Sequence, residues 1–323
     1  MHKIILPCIF LIVGFVALIK GADFFVDGAG SIAKKFRIPD IIVGLTVVAM
    51  GTSAPELATS ISAAIAGSNE IAVGNVIGSN LMNILVILGL SAIIKPLIVD
   101  TSIFKRDIPV MLICTAILPI STLLGRYMPG EYKLTRIVGV ILLAFFAFYL
   151  FITVSSALKY KKERADDAPD ESIKAFPWWK SILFTVGGAA MIIIGADIAV
   201  DSARSIAIEC GISENIIALT VVAFGTSLPE LITSVIAAKK GSSDIALGNI
   251  VGSNIFNILL ILGTTLVISP ITVNLLTLID GFILLGVTAY LAFTAFTGKK
   301  LSRIEGASYL VLYAGYMVYL FLR

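Results

Sequence analysis

Two glutamates, Glu56 and Glu230, end matching hexapeptides, Gly-Thr-Ser-x-Pro-Glu at 51–56 and 225–230. Each hexapeptide follows a run of predominantly apolar residues that is typical of a membrane-spanning segment. A carboxylate at the centre of a bilayer costs roughly 2.5–3.5 kcal/mol on insertion scales, so two of them in matching motifs indicate a function. We interpret the two side chains as facing each other and holding a cation.

A proline precedes each glutamate and predicts a broken helix. Proline has no backbone N–H, and its ring clashes with the carbonyl four residues back. For Pro55 that carbonyl belongs to Gly51. Broken backbone at membrane depth is tolerated only inside the protein or beside a cavity. We therefore expect the neighbouring carbonyls to be released from the helical ladder as well: those of Ala49, Thr52, Ala223 and Thr226.

The available ligand atoms are oxygens. Carbonyls, hydroxyls and carboxylates are the hard ligands that calcium takes, and sodium suits the same atoms. Soft transition metals prefer nitrogen or sulfur, but the chain has one histidine, His2, and three scattered cysteines, Cys8, Cys114 and Cys210. The sequence therefore excludes a His/Cys metal centre and a disulfide framework.

A second pair of motifs, Gly-Asn-x-x-Gly-Ser-Asn at 74–80 and 248–254, is followed in each copy by one more asparagine. Its glycines, four apart, allow helices to approach closely. A single serine or asparagine here is more simply a hydrogen bond between helices, but two symmetric sets beside two glutamates favour ion ligands. Residues four apart share a helix face, which groups Asn75, Ser79 and Asn83 in one copy and Asn249, Ser253 and Asn257 in the other.

The composition is that of an integral membrane protein. Of the 323 residues, 58% are hydrophobic and 14% charged, and the mean hydropathy is +1.01, whereas a soluble domain carries about 25% charged residues. A span needs about 20 apolar residues. The predicted fold class is all-α, with ten transmembrane helices at 4–33, 40–66, 70–94, 107–125, 134–158, 178–207, 214–238, 244–268, 276–297 and 304–322.

The two halves of the chain repeat each other. Residues 21–89 align with 195–263 at a constant offset of 174, and roughly 40 of these 69 pairs are identical. Each half has five predicted spans, an odd number, so the second half enters the membrane from the opposite side and the repeats are inverted. The predicted units are a first repeat at 1–158 with its motif region at 44–90, a polar flexible linker at 159–177, and a second repeat at 178–323 with its motif region at 218–264.

The basic residues orient this arrangement. Of the 24 Lys and Arg, 17 fall in or beside the loops that follow the odd-numbered spans, the linker included. By the positive-inside rule these loops are cytoplasmic. We therefore expect a multi-pass protein of the cell membrane with both termini outside and the linker inside.

With these motifs the chain resembles the sodium/calcium exchanger branch of the calcium/cation antiporter superfamily, and its prokaryotic members most closely. The resemblance covers essentially the whole chain. It implies that the glutamates coordinate calcium and share in sodium sites, with backbone oxygens of two alanines completing the latter, and that spans 1 and 6 slide as a gating pair over the other eight. The implied ligands are Ala49, Thr52, Ser53, Glu56, Ser79 and Asn83, and Ala223, Thr226, Ser227, Glu230, Ser253 and Asn257.

Charge arithmetic gives the same expectation. Two ionised glutamates carry about −2, which one Ca²⁺ neutralises, and about three Na⁺ leave the loaded site near +1. An empty site keeps two like charges together and should resist crossing the membrane. This favours electrogenic exchange of Na⁺ for Ca²⁺ by alternating access. The expected partners are these two ions and the lipid bilayer, with no cofactor and no nucleic acid, in a monomer or an oligomer of undefined size.

Other functions stay open at this point. Asn257 stands where several relatives have aspartate, which argues against potassium dependence and weakens proton coupling, but H⁺/Ca²⁺ or potassium-dependent exchange remain alternatives. A cation channel is less favoured, because it would want a ring of ligands in an oligomeric pore. An enzyme is not expected, because no nucleophile, histidine or metal triad accompanies the glutamates.

Overall fold

A computed structural model describes residues 2–36, 38–67, 69–128, 131–163, 176–210 and 223–322 of the chain. The architecture is helical. Eight described helices are long and apolar enough to cross a membrane, and the count is nine if the bent pair Asp40–Thr52 and Ala54–Ile65 forms one span. Residues 211–222, which belong to predicted span 7, lie outside the described part.

The described residues of the first half form six helices. The described elements, in chain order, are α1 (His2–Phe36), α2 (Asp40–Thr52), α3 (Ala54–Ile65), α4 (Asn69–Met82, continuing through Asn83–Leu88 and Gly89–Ile94), α5 (Ile103–Leu124) and α6 (Arg136–Glu163). The second half repeats them as α7 (Trp178–Glu209), α8 (Ala223–Thr226), α9 (Leu228–Lys240), α10 (Ser243–Phe256, continuing through Asn257–Leu262 and Gly263–Ile268), α11 (Leu275–Gly298) and α12 (Arg303–Leu322).

The observed helices match the predicted spans closely, with two differences. Helix α6 continues to Glu163, so the first residues of the predicted linker are helical, because Lys and Glu are good helix formers and the helix projects beyond its apolar stretch. The rest of the linker, 164–175, lies outside the described residues. Helix α5 begins at Ile103 rather than near 107.

Short strands connect the halves at two places. Strand β1 (Leu97–Ile98), after α4, pairs antiparallel with β5 (Lys300–Leu301), after α11. A second sheet has the order β2–β3–β4, with β2 (Arg126–Met128), β3 (Glu131–Leu134) and β4 (Ile271–Asn274). Each sheet therefore joins a loop of the first half to a loop of the second.

Helices α4 and α10 form the core of the bundle and carry the second pair of motifs. Almost all of α10 is buried, whereas α12 lies at the periphery. Glycines allow close packing here, since a Cβ on Gly252 would lie 2.8 Å from the carbonyl oxygen of Leu45 in α2. The expectation of close helix approach is thus confirmed at α10. It is wrong at Gly74 and Gly78 of α4, where an added Cβ would meet nothing within 4 Å.

Both core helices widen into π-helical segments at equivalent positions. These segments are Asn83–Leu88 in α4 and Asn257–Leu262 in α10. A π segment shifts the register of the following side chains, and such segments are frequent at functional sites. Each one begins at the asparagine that the sequence predicts as an ion ligand.

Helices α1 and α7 form an antiparallel pair on one side of this core. They have 35 and 32 residues, which at 1.5 Å per residue is about 50 Å each, longer than the roughly 30 Å hydrocarbon core. Their backbones touch where Gly21 of α1 faces Gly188 of α7. Helix α1 also contacts α9: the Lys240 ammonium lies 2.6 Å from Asp27 Oδ1 and 3.2 Å from Asp23 Oδ1.

Alanine at Gly188 is expected to destabilise the protein, because its Cβ would lie 2.6 Å from the backbone nitrogen of Phe25. Overpacking of this kind costs about 1–3 kcal/mol, against the roughly 1 kcal/mol gained in helix propensity. Gly187→Ala is the control, because a Cβ there meets only Leu183 Cδ1, at 3.9 Å. The melting temperature in detergent should fall for Gly188→Ala and stay equal or rise for Gly187→Ala. Equal values for both variants would contradict the close packing of α1 on α7.

Candidate cation site

The two predicted helix breaks occur, and they lie next to each other. The first is at Ser53, between α2 and α3, which are bent by 48°. The second is at Ser227, between α8 and α9. Pro55 and Pro229 each stand in the first turn of the helix after the break, where a missing N–H costs no hydrogen bond.

Hydroxyl–carboxylate bonds cross between the halves at these breaks. The Ser53 hydroxyl donates to Glu230 Oε1 at 2.8 Å, and the Ser227 hydroxyl donates to Glu56 Oε1 at 3.2 Å. Each serine therefore holds the glutamate of the other repeat. The glutamates are 2% and 0% exposed, and two like charges buried in one low-dielectric region repel each other.

The serines of the second motif pair complete this polar layer. Ser253 Oγ lies 3.0 Å from Ser53 Oγ, and Ser79 Oγ lies 3.4 Å from Ser227 Oγ. Equivalent residues of the two halves thus have equivalent neighbours. The structure brings together the six predicted ligands that carry a carboxylate or a serine hydroxyl.

Four buried oxygens around this layer have no hydrogen-bond partner in the described part of the chain. They are Glu56 Oε2, Glu230 Oε2, Asn83 Oδ1 and Asn257 Oδ1. A buried acceptor without a partner costs free energy, and oxygens of this kind are the ligands that hard cations take. They form two equivalent pairs, because Asn83 and Asn257 are related by the same offset as the glutamates.

The two threonines lie at the edge of the layer. Thr52 has three acceptors within reach of its hydroxyl: the carbonyl of Val48 at 3.1 Å, that of Ala49 at 3.4 Å, and Asn249 Oδ1 at 3.0 Å. Thr226 is close to the Glu56 carboxylate. Their service as ion ligands stays a prediction.

The expectation that the Ala49 carbonyl leaves the helical ladder is wrong. It accepts the N–H of Ser53 at 3.0 Å, because the residue without an N–H is Pro55, whose missing bond would have gone to Gly51. A carbonyl has a second lone pair, and here the Ala49 oxygen also lies 3.4 Å from the Thr52 hydroxyl. Sodium binding by the Ala49 oxygen stays a prediction. Ala223 begins α8, directly after residues outside the described part.

Three asparagines outside the implied ligand list also belong to the site. The helix-face pattern in the sequence groups Asn249 with Ser253 and Asn257, whereas it misses Asn80 and Asn254. Asn249 connects the halves, because it accepts from Thr52 and its Nδ2 donates to Ser234 Oγ at 2.9 Å. Asn80 and Asn254 accept the side-chain amides of Asn257 and Asn83. All three belong to the repeated motif at 74–80 and 248–254, which was the available signal.

No positive side chain in the described ranges compensates the two glutamates. Within the described residues neither glutamate forms a salt bridge, and the ion pairs there join Arg106 to Asp107 and Lys240 to the two aspartates of α1. The described part also contains no cluster of three or more His, Cys, Asp or Glu side chains. Two carboxylates with hydroxyl and amide oxygens form a donor set that suits Na⁺ or Ca²⁺.

The sodium/calcium exchanger protein family model matches residues 6–155 and 180–322. The chain belongs to the sodium/calcium exchanger family. It is 39% identical to a putative antiporter, CaxA, of Alkalimonas amylolytica, over 97% of this chain and 98% of that protein. It is 34% identical to the sodium/calcium exchanger MaX1 of Methanosarcina acetivorans, over 96% of this chain and 97% of that protein.

Solved structures of the exchanger NCX_Mj have the same fold. The form soaked with zero Na⁺ and Ca²⁺ superimposes with a TM-score of 0.84 at 33% identity, over 98% of this chain and 99% of that chain. Membership of this family makes the protein a multi-pass membrane transporter of the cation/Ca²⁺ antiporter class.

Replacing Glu56 with glutamine should raise the melting temperature of the ion-free protein, because it removes one of two like charges from a buried site. In the presence of calcium the unsubstituted protein should have the higher melting temperature. A ligand at 100 times its Kd stabilises by about 2.7 kcal/mol, and the variant should gain little of this. Thermal unfolding in EDTA without sodium, and then in CaCl₂, measures both effects.

The exposed carboxylate of Asp201 on α7 provides the control. Asp201→Asn should behave like the unsubstituted protein in both solutions. A Glu56→Gln variant that calcium stabilises fully would contradict the assignment of Glu56 to the cation site.

Proposed function

We propose that the protein exchanges Na⁺ for Ca²⁺ across the cell membrane by alternating access, as an electrogenic antiporter that moves about three Na⁺ per Ca²⁺. The observation that carries the proposal is the pair of crossed serine–glutamate bonds with four unpartnered oxygens beside them. The proposed ligands are Glu56, Glu230, Ser53, Ser227, Ser79, Ser253, Asn83, Asn257, Thr52 and Thr226, with the backbone oxygens of Ala49 and Ala223.

Electrostatics favours exchange over leak. Without a cation the site holds two buried carboxylates that repel each other, and bringing them through the low-dielectric centre is costly. One Ca²⁺ neutralises the pair, and several Na⁺ do so as well. The loaded forms can therefore cross between the two faces, whereas the empty form is held back. This coupling requires no energy source other than the ion gradients.

We further propose that ten spans form two inverted five-helix repeats, at 1–158 and 178–323, with the linker between them. The offset of 174, the crossed bonds and the two small sheets support this layout. Strands β1 and β5 follow the third and ninth predicted spans, and β3 and β4 follow the fourth and eighth. Paired loops must lie on one side of the membrane, and the inverted layout puts each pair on one side.

Potassium-dependent or proton-coupled exchange is the alternative. Both would be favoured by a third carboxylate, but Asn83 and Asn257 are neutral, and the Asn257 amide donates to Asn80 Oδ1 at 3.0 Å. An aspartate at 257 would lack this donor when ionised. The neutral pair therefore supports sodium as the coupling ion. A channel or an enzyme finds no specific support.

Sodium-loaded proteoliposomes are expected to take up calcium when external sodium is low. Uptake should saturate, rise with an inside-positive potential, and be indifferent to potassium, because the site offers two carboxylates and no third. Glu230→Gln should abolish uptake to below about a hundredth of the normal rate, since it removes a charge that Ca²⁺ requires. Asp201→Asn, outside the site, should retain it.

The same vesicles discriminate the alternatives. Uptake that follows a pH gradient without sodium would assign the protein to the proton-coupled branch, and a requirement for potassium would assign it to the potassium-dependent one. Calcium flux without any counter-ion would refute antiport altogether.

The proposed orientation puts both termini outside and the linker in the cytoplasm. Cys210 is exposed at the end of α7, which this orientation places outside. A membrane-impermeant maleimide applied to intact cells should label Cys210 in a Cys8→Ser background, and should not label Ser172→Cys when Cys8 and Cys210 are both serine. Permeabilised cells, in which both should react, are the control. The opposite labelling pattern would invert the topology.

A further inference from the structure

Four asparagine side chains interlock where α4 meets α10. Asn83 Nδ2 donates to Asn254 Oδ1 at 3.2 Å, and Asn257 Nδ2 donates to Asn80 Oδ1 at 3.0 Å. Each bond crosses from one half of the chain to the other, and the offset of 174 converts one bond into the other. All four residues are 1% exposed, so water does not compete for these amides.

The interlock determines which end of each amide is available to an ion. A carboxamide has an NH₂ group that only donates and a carbonyl oxygen that only accepts. The NH₂ groups of Asn83 and Asn257 donate hydrogen bonds to the partner asparagines. Their Oδ1 atoms have no partner in the described part of the chain. If either amide turned over, an NH₂ group, which repels cations, would take the place of its unpartnered oxygen.

The interlocking asparagines are themselves held in place. Asn80 Nδ2 donates to the backbone oxygen of Asn254 at 3.2 Å, and Asn254 Nδ2 lies 3.7 Å from Met111 Sδ. With their NH₂ groups committed in this way, both residues present Oδ1 as the acceptor. The orientation of the predicted ligands therefore depends on a second layer of amides.

We propose that Asn80 and Asn254 are positioning residues, which fix the carbonyl oxygens of Asn257 and Asn83 toward the cation without binding it themselves. This inference rests on the proposed function, since it concerns how the same site selects cations. Partners that orient ligands in this way typically contribute 10–100-fold to metal affinity. The alternative role is simple helix packing, in which the amides only join α4 to α10.

A double-mutant cycle separates the two roles. Calcium affinity is measured by titration calorimetry on the purified full chain with CaCl₂, which requires no transport. Asn254→Ala should weaken calcium binding about tenfold or more, because it releases the amide of Asn83. In an Asn83→Ala background the same substitution should change affinity less than about twofold, since the group that it orients is already absent.

Two controls test the specificity of the coupling. Asn254→Ala in an Asn257→Ala background should keep most of its effect, because Asn257 bonds Asn80 instead. Met111→Leu removes the sulfur acceptor of the Asn254 amide but keeps the bond from Asn83, so it should weaken calcium binding less than Asn254→Ala does. If Asn254→Ala does not fold, Asn254→Ser and the mirror cycle of Asn80→Ala with Asn257→Ala provide the same comparison.

The outcomes are distinct. Equal losses of affinity in the unsubstituted and Asn83→Ala backgrounds would overturn the positioning role, and so would a loss of melting temperature with unchanged affinity. Absence of calcium binding by the unsubstituted protein would overturn the proposed function and the inference together. Normal binding with additive losses would overturn the inference alone.

Discussion

Repulsion between two buried carboxylates is the constraint on which the rest of this structure depends. Glu56 and Glu230 are essentially inaccessible to water, and no basic side chain in the described residues pairs with them. Two ionised carboxylates buried together in a low dielectric repel each other. Such an arrangement persists only if the surroundings stabilise negative charge or a cation neutralises it. The serine hydroxyls supply part of that stabilisation, and the unpartnered oxygens define where the remainder must come from.

The backbone meets a second requirement. It brings polar groups to the centre of a helical bundle without leaving backbone N–H and C=O groups of the helices unpaired. The proline breaks direct Ser53 and Ser227 across the interface instead of along their own helices. The π segments that start at Asn83 and Asn257 shift the register of the side chains that follow them in α4 and α10. Every one of these devices occurs twice, at equivalent positions, so each half supplies what the other half needs.

Much of this arrangement could be predicted from the sequence, because apolar stretches, prolines and an internal repeat are local signals. The helix limits agree with the predicted spans to within a few residues, and the two glutamates do lie together. The repeat identifies equivalent residues, but it does not say which residues of one half contact which residues of the other. The bond from Ser53 to Glu230 therefore could be found only in the structure. Asn80 was overlooked because ligands were selected from the helix face that carries Ser79, and Asn80 lies about 100° around the helix from it. Helix α4 contacts more than one neighbour, so polar residues on another face can also reach the second half. The Ala49 carbonyl shows the same limit: a proline identifies one lost bond, not the behaviour of adjacent carbonyls.

The contact of Lys240 with Asp23 and Asp27 has a different significance, because it breaks the symmetry. Asp197 and Asp201 repeat the two aspartates in the second half, but the residue equivalent to Lys240 is Ala66. If transport interconverts the conformations of the halves, the mirrored state has no ammonium to place between the second pair of aspartates. A partly exposed ion pair contributes up to about 1 kcal/mol, which corresponds to about a fivefold difference in population. The ion-free protein would then favour one of its two alternating-access conformations. The two directions of exchange would therefore begin from unequally populated states.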